Sequence, residues 1–277
     1  MSGEGAGATR GAGGGAHPHE LPPPYSTVRA EVLRLPGRAH ERDLLAAEEP
    51  LEIRVNGAPV AVTMRTPGHD EELAFGFCIS EGIGPRAAGP PADLAANTID
   101  VAAPGFDAER LRRSFYTTSS CGVCGKGALE SVAVEAPVVA SDLVVPASLV
   151  HALPERLREA QPAFAATGGL HATGLFSAEG DLLCLREDVG RHNAFDKVVG
   201  WAFERSLLPL ARHVVCVSGR LSFELVQKAA VAGVPVLVAV GAPSSLAVEL
   251  ARDRGVTLVG FTRADRATVY AGEWRIA

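Results

Sequence analysis

"HVVCVSGRLSFELVQKAAVAGVPVLVAVGAPSSLAVELARDRGVTLVGF", His213–Phe261, is the stretch that decides the fold. Three short apolar runs, "HVVCVSG", "VPVLVAVG" and "VTLVGF", alternate with two runs of helical period, "SFELVQKAAVAG" and "SSLAVELARDRG". Uninterrupted apolar strands separated by helices predict a parallel sheet with helices on both faces. Gly233 and Gly255 stand where the two helices must stop.

Upstream, "LHATGLFS" and "DLLCLRE" read as strands around a Glu179-Gly180-Asp181 turn, and "GRHNAFDKVVGWAFERSL" as a long amphipathic helix. "VPASLVHALPERLREAQP" reads as a helix that Pro154 kinks or splits. Earlier still, "STVRAEVLRL" alternates like a strand, and "LEIRVNGAPVAVTMRT" is a hairpin about Asn56-Gly57. "HDEELAFGFCISEG" is a helix, with Asp70, Glu71 and Glu72 suiting its positive end. "NTIDVAA" and "ALESVAVEA" are further short strands. The first 26 residues are rich in Gly, Ala and Pro and read as a disordered tail. The expected organisation is α/β: a tail over 1–26, an α+β N-terminal region over 27–140, and a C-terminal three-layer α/β domain over 141–277.

Bulk composition narrows the function. The chain has 277 residues, is 47% hydrophobic and carries a formal charge of −6. That is enough for real cores, and too acidic for a general binder of nucleic acid or of an anionic membrane. No run of about 18 apolar residues predicts a membrane helix. The start lacks the apolar segment of a secretory signal. With five cysteines, an odd count, the expected compartment is the reducing cytoplasm.

Two of those cysteines carry the chemical question. "TSSCGVCGKG" (Thr118–Gly127) sets Cys121 and Cys124 three apart among glycines. Structural zinc needs four ligands and there is no second pair, so no metal is expected. A zinc deaminase is excluded, because "HAT" at His171–Thr173 lacks the glutamate of the H-x-E signature and the pair precedes the histidine. Glycines on both sides disfavour the helix that a thioredoxin-like motif opens. Backbone N–H groups and Lys126 suit a nucleophilic thiolate. Spacing alone leaves open whether these are a reactive pair or incidental thiols on a turn.

Other segments speak to that choice. "MRTPGHDEELAFGF", "TSSCGVCGKG", "TGGLHATGLF", "REDVGRHNAFDKVVG", "SGRLSFELVQKAA", "APSSLAVELA" and "LVGFTR" occur in this order. The set resembles the FdhD family, the formate dehydrogenase accessory sulfurtransferases, from about residue 28 onward. The resemblance implies a sulfur carrier that takes sulfur from a cysteine desulfurase and gives it to the molybdenum bis(molybdopterin guanine dinucleotide) cofactor of formate dehydrogenase. It implies persulfide chemistry on Cys121, with Cys124 accepting or relaying the sulfur. It also implies a homodimer and a C-terminal domain like the cytidine deaminase fold. The family usually shows Ser-Ala-Pro where this chain has Gly241-Ala242-Pro243, which removes a hydroxyl.

An acceptor with two guanine dinucleotides needs an anion site. In open α/β sheets ligands sit beyond the carboxyl ends of the strands, where helix N-termini attract phosphate. "SGRLS" (Ser218–Ser222) and "GAPSS" (Gly241–Ser245) lie there, with Ser218 and Arg220 as candidate ligands. Such loops are also ordinary βα turns. The resemblance adds "FTRADR" as a cofactor-binding segment: Phe261 to pack on a guanine, Arg263 and Arg266 to meet phosphate, and Thr262, Ala264 and Asp265 between them. Asp188, His192 and Asp196, four apart, are expected on one helix face, orienting the cofactor or tuning Cys121. The expectation is a sulfurtransferase; the alternative is a chaperone that holds the cofactor without covalent transfer.

Overall fold

The computed structural model describes residues 23–106 and 136–277. The cysteine pair, residues 1–22 of the expected tail and nearly all of the expected "ALESVAVEA" strand lie outside them; the tail's last residues are ordered, Pro24–Ser26 forming a 3-10 turn that buries Ser26.

A two-stranded ribbon comes first, β1 (Thr27–Arg34) with β2 (Ala39–Ala46), antiparallel. The sequence reading had no second strand here, because "AHERDLLA" opens on a polar run, His40–Asp43, with no alternation. A four-stranded sheet follows: β3 (Glu49–Val55), β4 (Ala58–Arg65), β5 (Ala87–Gly89) and β6 (Thr98–Ala102), in the order β4-β3-β6-β5. Asn56 and Gly57 have φ of 52° and 81°, the two left-handed residues of the expected tight hairpin. Helix α1 (Asp70–Ser80) joins β4 to this sheet's far edge.

The second sheet has six strands in the order β12-β11-β10-β9-β7-β8. They are β7 (His171–Phe176), β8 (Leu182–Asp188), β9 (Val214–Val217), β10 (Val236–Ala239), β11 (Thr257–Arg263) and β12 (Arg266–Ala271). The expected parallel pairing holds for β9, β10 and β11. The flanks differ: β7 runs antiparallel to β8 and β9, and β12 antiparallel to β11. A short turn can join only antiparallel neighbours. "FTRADR" therefore spans the turn of the β11–β12 hairpin.

Helices cover both faces. On one, α4 (Arg191–Glu204), α5 (Phe223–Val231) and α6 (Ser245–Arg254) bury Phe195, Val198, Leu225, Ala229 and Ala247 against Val215, Val217, Leu237 and Leu258. On the other, α2 (Ala147–Glu159) packs Leu149, Val150, Leu153 and Leu157 onto Val214, Cys216, Val236, Val238 and Val259. The short α3 (Pro162–Thr167) follows. Successive β9 residues thus enter opposite cores, as the two-residue period requires.

Two helix expectations change. Pro154 does not split α2, which runs through it. A mid-helix proline costs about 3 kcal/mol; each of four buried apolar side chains in α2 returns about 1.5–3 kcal/mol. And α4 is not amphipathic in place: Asn193–Gly200 are all buried. Its outer side is covered by α1, and the two helices touch at glycines. A Cβ on Gly76 would overlap the Asp196 carbonyl, and one on Gly200 the Glu72 carbonyl.

Charged groups lock this crossing. Glu72 of α1 takes Arg186 of β8 through both oxygens, at 2.5 and 2.7 Å. Asp188 is the last residue of β8, three before α4 begins, so it does not share a helix face with His192 and Asp196. Asp188 pairs with Lys197, and Asp196 with Lys228 and Ser80. These two carboxylates serve the packing rather than a pocket.

Candidate functional site

The chain leaves β9 and β10 at Val217 and Ala239 and turns into α5 and α6. The two loops are woven together. Gly241 N donates to Gly219 O at 3.0 Å, Leu221 N to Ala242 O at 3.0 Å, and Ser244 N to Leu221 O at 3.0 Å. Phe261 N donates to Gly241 O at 3.1 Å, tying in β11. A Cβ at Gly241 would stand 2.8 Å from Gly219 O, so the weave in this chain calls for glycine there.

The strand-end residues gather as expected, with additions. Ser218 is partly committed: its Oγ accepts from Ala172 N at 2.9 Å. Its hydroxyl proton stays available. Arg220 is exposed at the loop crest. Because β7 runs antiparallel to β9, its first residue, His171, arrives beside Gly219, with Arg191 on the same side. His192 Nε2 lies 2.9 Å from Glu224 Oε2 and 3.1 Å from Ser222 Oγ. Sequence reasoning missed His171, Arg191 and Glu224; the signal for His171 lay in the β7–β9 pairing, which only the fold supplies.

The 261–266 segment completes the rim. Phe261 has φ of 51°, a left-handed backbone that costs a non-glycine residue about 1–3 kcal/mol, and it holds its ring half exposed. Arg263 Nη1 donates to Val240 O at 2.9 Å and Thr262 O at 2.7 Å, which fixes the guanidinium over the end of β10. Arg266 faces solvent across the hairpin from it, next to Ala264 and Asp265 at the tip. Thr262 is fully buried.

Electrostatics suit an anion. Arg191, Arg220, Arg263 and Arg266 stand against Glu224 and Asp265. Burial holds the His171 imidazole below its ordinary range, reinforced by Arg191 and His192. The hydrogen bond from His192 holds the Glu224 carboxyl low. Neither α4 nor α5 has a side-chain cap at its N-terminus, so their first N–H groups are open. The buried atoms Thr173 Oγ1, Arg191 Nε and Thr262 Oγ1 have no partner among the described residues. Buried polar atoms seldom go unpaired, so orphans at one end of a sheet fit a site that expects a polar ligand.

A profile of the FdhD/NarQ family matches residues 46–277. The chain belongs to the FdhD/NarQ family. Proteins named sulfur carrier protein FdhD, from Streptomyces avermitilis and Mycobacterium tuberculosis, are each 52% identical to it. The first alignment covers 91% of this chain and 96% of its relative, the second 84% and 92%. One from Anaeromyxobacter dehalogenans is 45% identical over 92% of this chain and 95% of its own. The crystal structure of a candidate formate dehydrogenase accessory protein from Desulfotalea psychrophila superposes with a TM-score of 0.70 at 27% identity, covering 91% of this chain and 98% of that one.

Three cysteines of this FdhD/NarQ chain can be placed. Cys78, Cys184 and Cys216 are free and buried. Burial pushes the Cys78 and Cys184 thiols up to about 12 and Cys216 higher still. Thiols in that state are poor nucleophiles. A cleft of about 930 Å³ lies elsewhere: residues 182–187 of β8 line it, and it includes neither strand-end loop. Among the described residues no helix is long and apolar enough to cross a membrane.

Proposed function

We propose that this chain is a cytoplasmic sulfur carrier with sulfurtransferase activity. It takes sulfur from a cysteine desulfurase as a persulfide on Cys121, with Cys124 as the neighbouring thiol. It passes that sulfur to molybdenum bis(molybdopterin guanine dinucleotide) before the cofactor enters formate dehydrogenase, and it works as a homodimer. The observation that carries this reading is the 52% identity, across nearly the whole chain, to proteins named sulfur carriers.

Two features support it. First, sulfur loading needs a thiolate: the Cys121 sulfur attacks the outer sulfur of the donor persulfide, an S–S bond forms at Cys121, and the donor cysteine leaves as thiolate. Cys78, Cys184 and Cys216 are buried with raised thiols, which leaves Cys121 and Cys124 for that work. Second, the acceptor is a substrate bearing guanine nucleotides and pyrophosphate. Open N–H groups of α4 and α5, the guanidiniums of Arg191, Arg220 and Arg263, and the displayed ring of Phe261 are groups that such a substrate needs.

Mass spectrometry of the protein after incubation with a cysteine desulfurase and cysteine tests the reading. A mass increase of one sulfur on the Cys121 peptide is expected, absent in Cys121→Ala and retained in Cys184→Ala and Cys216→Ala. Cys121→Ala should also leave formate dehydrogenase inactive. Full maturation by that variant would leave a cofactor chaperone without covalent transfer.

A further inference from the structure

We propose that Arg191 and His171 read the second phosphate of a guanine nucleotide whose base lies on Phe261, so that the acceptor runs across the strand ends from β11 toward β7. This rests on the acceptor proposed above and gives it a direction. β11, β10, β9 and β7 are neighbours in that order. Phe261 N donates to Gly241 O, and Gly241 N to Gly219 O. Phe261 in β11, Gly241 after β10 and Gly219 after β9 therefore form a row. It is two strand spacings of about 4.8 Å, or roughly 10 Å, long. An extended nucleoside diphosphate covers such a span.

The groups along the row differ in kind. Phe261 offers a half-exposed ring. Over the end of β10, Val240 O fixes the Arg263 guanidinium. At Gly219 two side chains converge: a Cβ there would stand 3.4 Å from His171 Nδ1 and 3.7 Å from Arg191 Cδ. An aromatic surface is followed by one guanidinium, then by a second guanidinium with an imidazole. A base, a first phosphate and a second phosphate need those groups in that order.

The pair at the far end is uncommitted. Neither His171 nor Arg191 makes a hydrogen bond or ion pair among the described residues, and Arg191 Nε is buried without a partner. Thr173, two residues along β7 on the His171 face, is 1% exposed, and its Oγ1 has no partner either. Buried polar atoms are rarely left so. Acids at this end are already taken, Asp188 by Lys197 and Glu224 by His192. Burial, then Arg191, holds the His171 imidazole below its ordinary range, so it brings a neutral N–H donor rather than a second positive charge. Arg191 also opens α4, whose N-cap Gly190 has no side chain, so the free N–H groups of the first turn lie beside it.

Calorimetry on the full chain, with GDP and GMP at one ionic strength, tests this. The parent should bind GDP at least about tenfold more tightly than GMP. Arg191→Gln or His171→Gln should lower that preference severalfold by weakening GDP with GMP little changed, and the double variant should abolish it. Retained GMP binding certifies each fold. Arg191→Lys, which keeps the charge without the planar fork, should recover part of the preference. Phe261→Gly should weaken both nucleotides alike and keep it. If neither nucleotide binds the parent, the strand-end acceptor site falls and this inference with it. Equal binding of GDP and GMP by the parent, or loss of both alike in the 171 and 191 variants, overturns this inference and leaves that site standing. So does a preference lost in Phe261→Gly, the mark of the reverse direction.

Discussion

Lys197 Nζ lies 2.7 Å from Asp188 Oδ2, and neither side chain is more than 1% exposed. The pair joins the end of β8 to the second turn of α4. It also grips the N-terminal region, because Lys197 donates to Thr66 O at 2.8 Å and Asp188 accepts from Thr66 N at 3.1 Å. Burial holds the ammonium below the ordinary lysine range, with Asp188 opposing that.

Removing one member of this pair leaves a buried charge uncompensated. Lys197→Met should destabilise the protein by about 3–5 kcal/mol, read from urea unfolding, and adding Asp188→Asn should recover part of the loss. Equal costs for the single and double variants would mean that the pair does not act as a unit.

Gly200 and Gly76 let α1 and α4 approach to backbone contact. Gly200→Ala places a methyl against the Glu72 carbonyl, which a helix backbone cannot yield cheaply. The helices must separate and open the core beneath, costing about 1–3 kcal/mol or more. Gly57→Ser, at a turn with no atom within 4 Å of a new Cβ, avoids that overlap and carries only the strain of its φ. Thermal unfolding of the two should rank Gly200→Ala as the more damaging; the reverse order would count against a tight crossing.

Phe261 separates stability from binding. Phe261→Gly relieves a left-handed backbone at 51° and should leave stability level or raise it by about 1 kcal/mol. On the proposed reading it should also weaken GDP, half of the acceptor cofactor, by calorimetry. Arg263→Ala should cost about 1–3 kcal/mol of GDP affinity and leave persulfide loading unchanged. Unaltered GDP binding in both variants would remove the 261–266 segment from the site.

Burial raises the Glu187 carboxyl above the ordinary glutamate range, against the hydrogen bonds from Ala163 and Phe164 that lower it. With the folded pKa above the unfolded one, the native state keeps a proton that the unfolded chain has lost. Stability from this group is therefore full below the unfolded pKa and falls as pH rises through the folded one. Glu187→Gln lacks that slope, so it should gain on the parent from about pH 4.5 upward. Parallel urea midpoints for the two proteins between pH 4 and 7 would contradict the raised carboxyl.

The sequence alone determined the three parallel strands, the helices between them and the Asn56-Gly57 hairpin. Apolar runs and turn glycines act over a few residues, and nothing at longer range competes with them. The strand-end loops were legible for the same reason: a βα turn carries its own signature in "SGRLS" and "GAPSS". What it could not show depends on who packs against whom. The residues of α4 carry a helical period, yet only α1 lying across it buries both of its sides, and only that crossing explains Gly76 and Gly200. Asp188 and Asp196 looked like one face of a helix. The tertiary structure put Asp188 at the end of a strand with Lys197, because a buried carboxylate must find a cation and the helix that follows turns Lys197 back onto it. His171 reached the strand ends, and β8 became the last strand of the sheet among the described residues, through strand order, which is settled by long-range pairing between segments whose local patterns look alike.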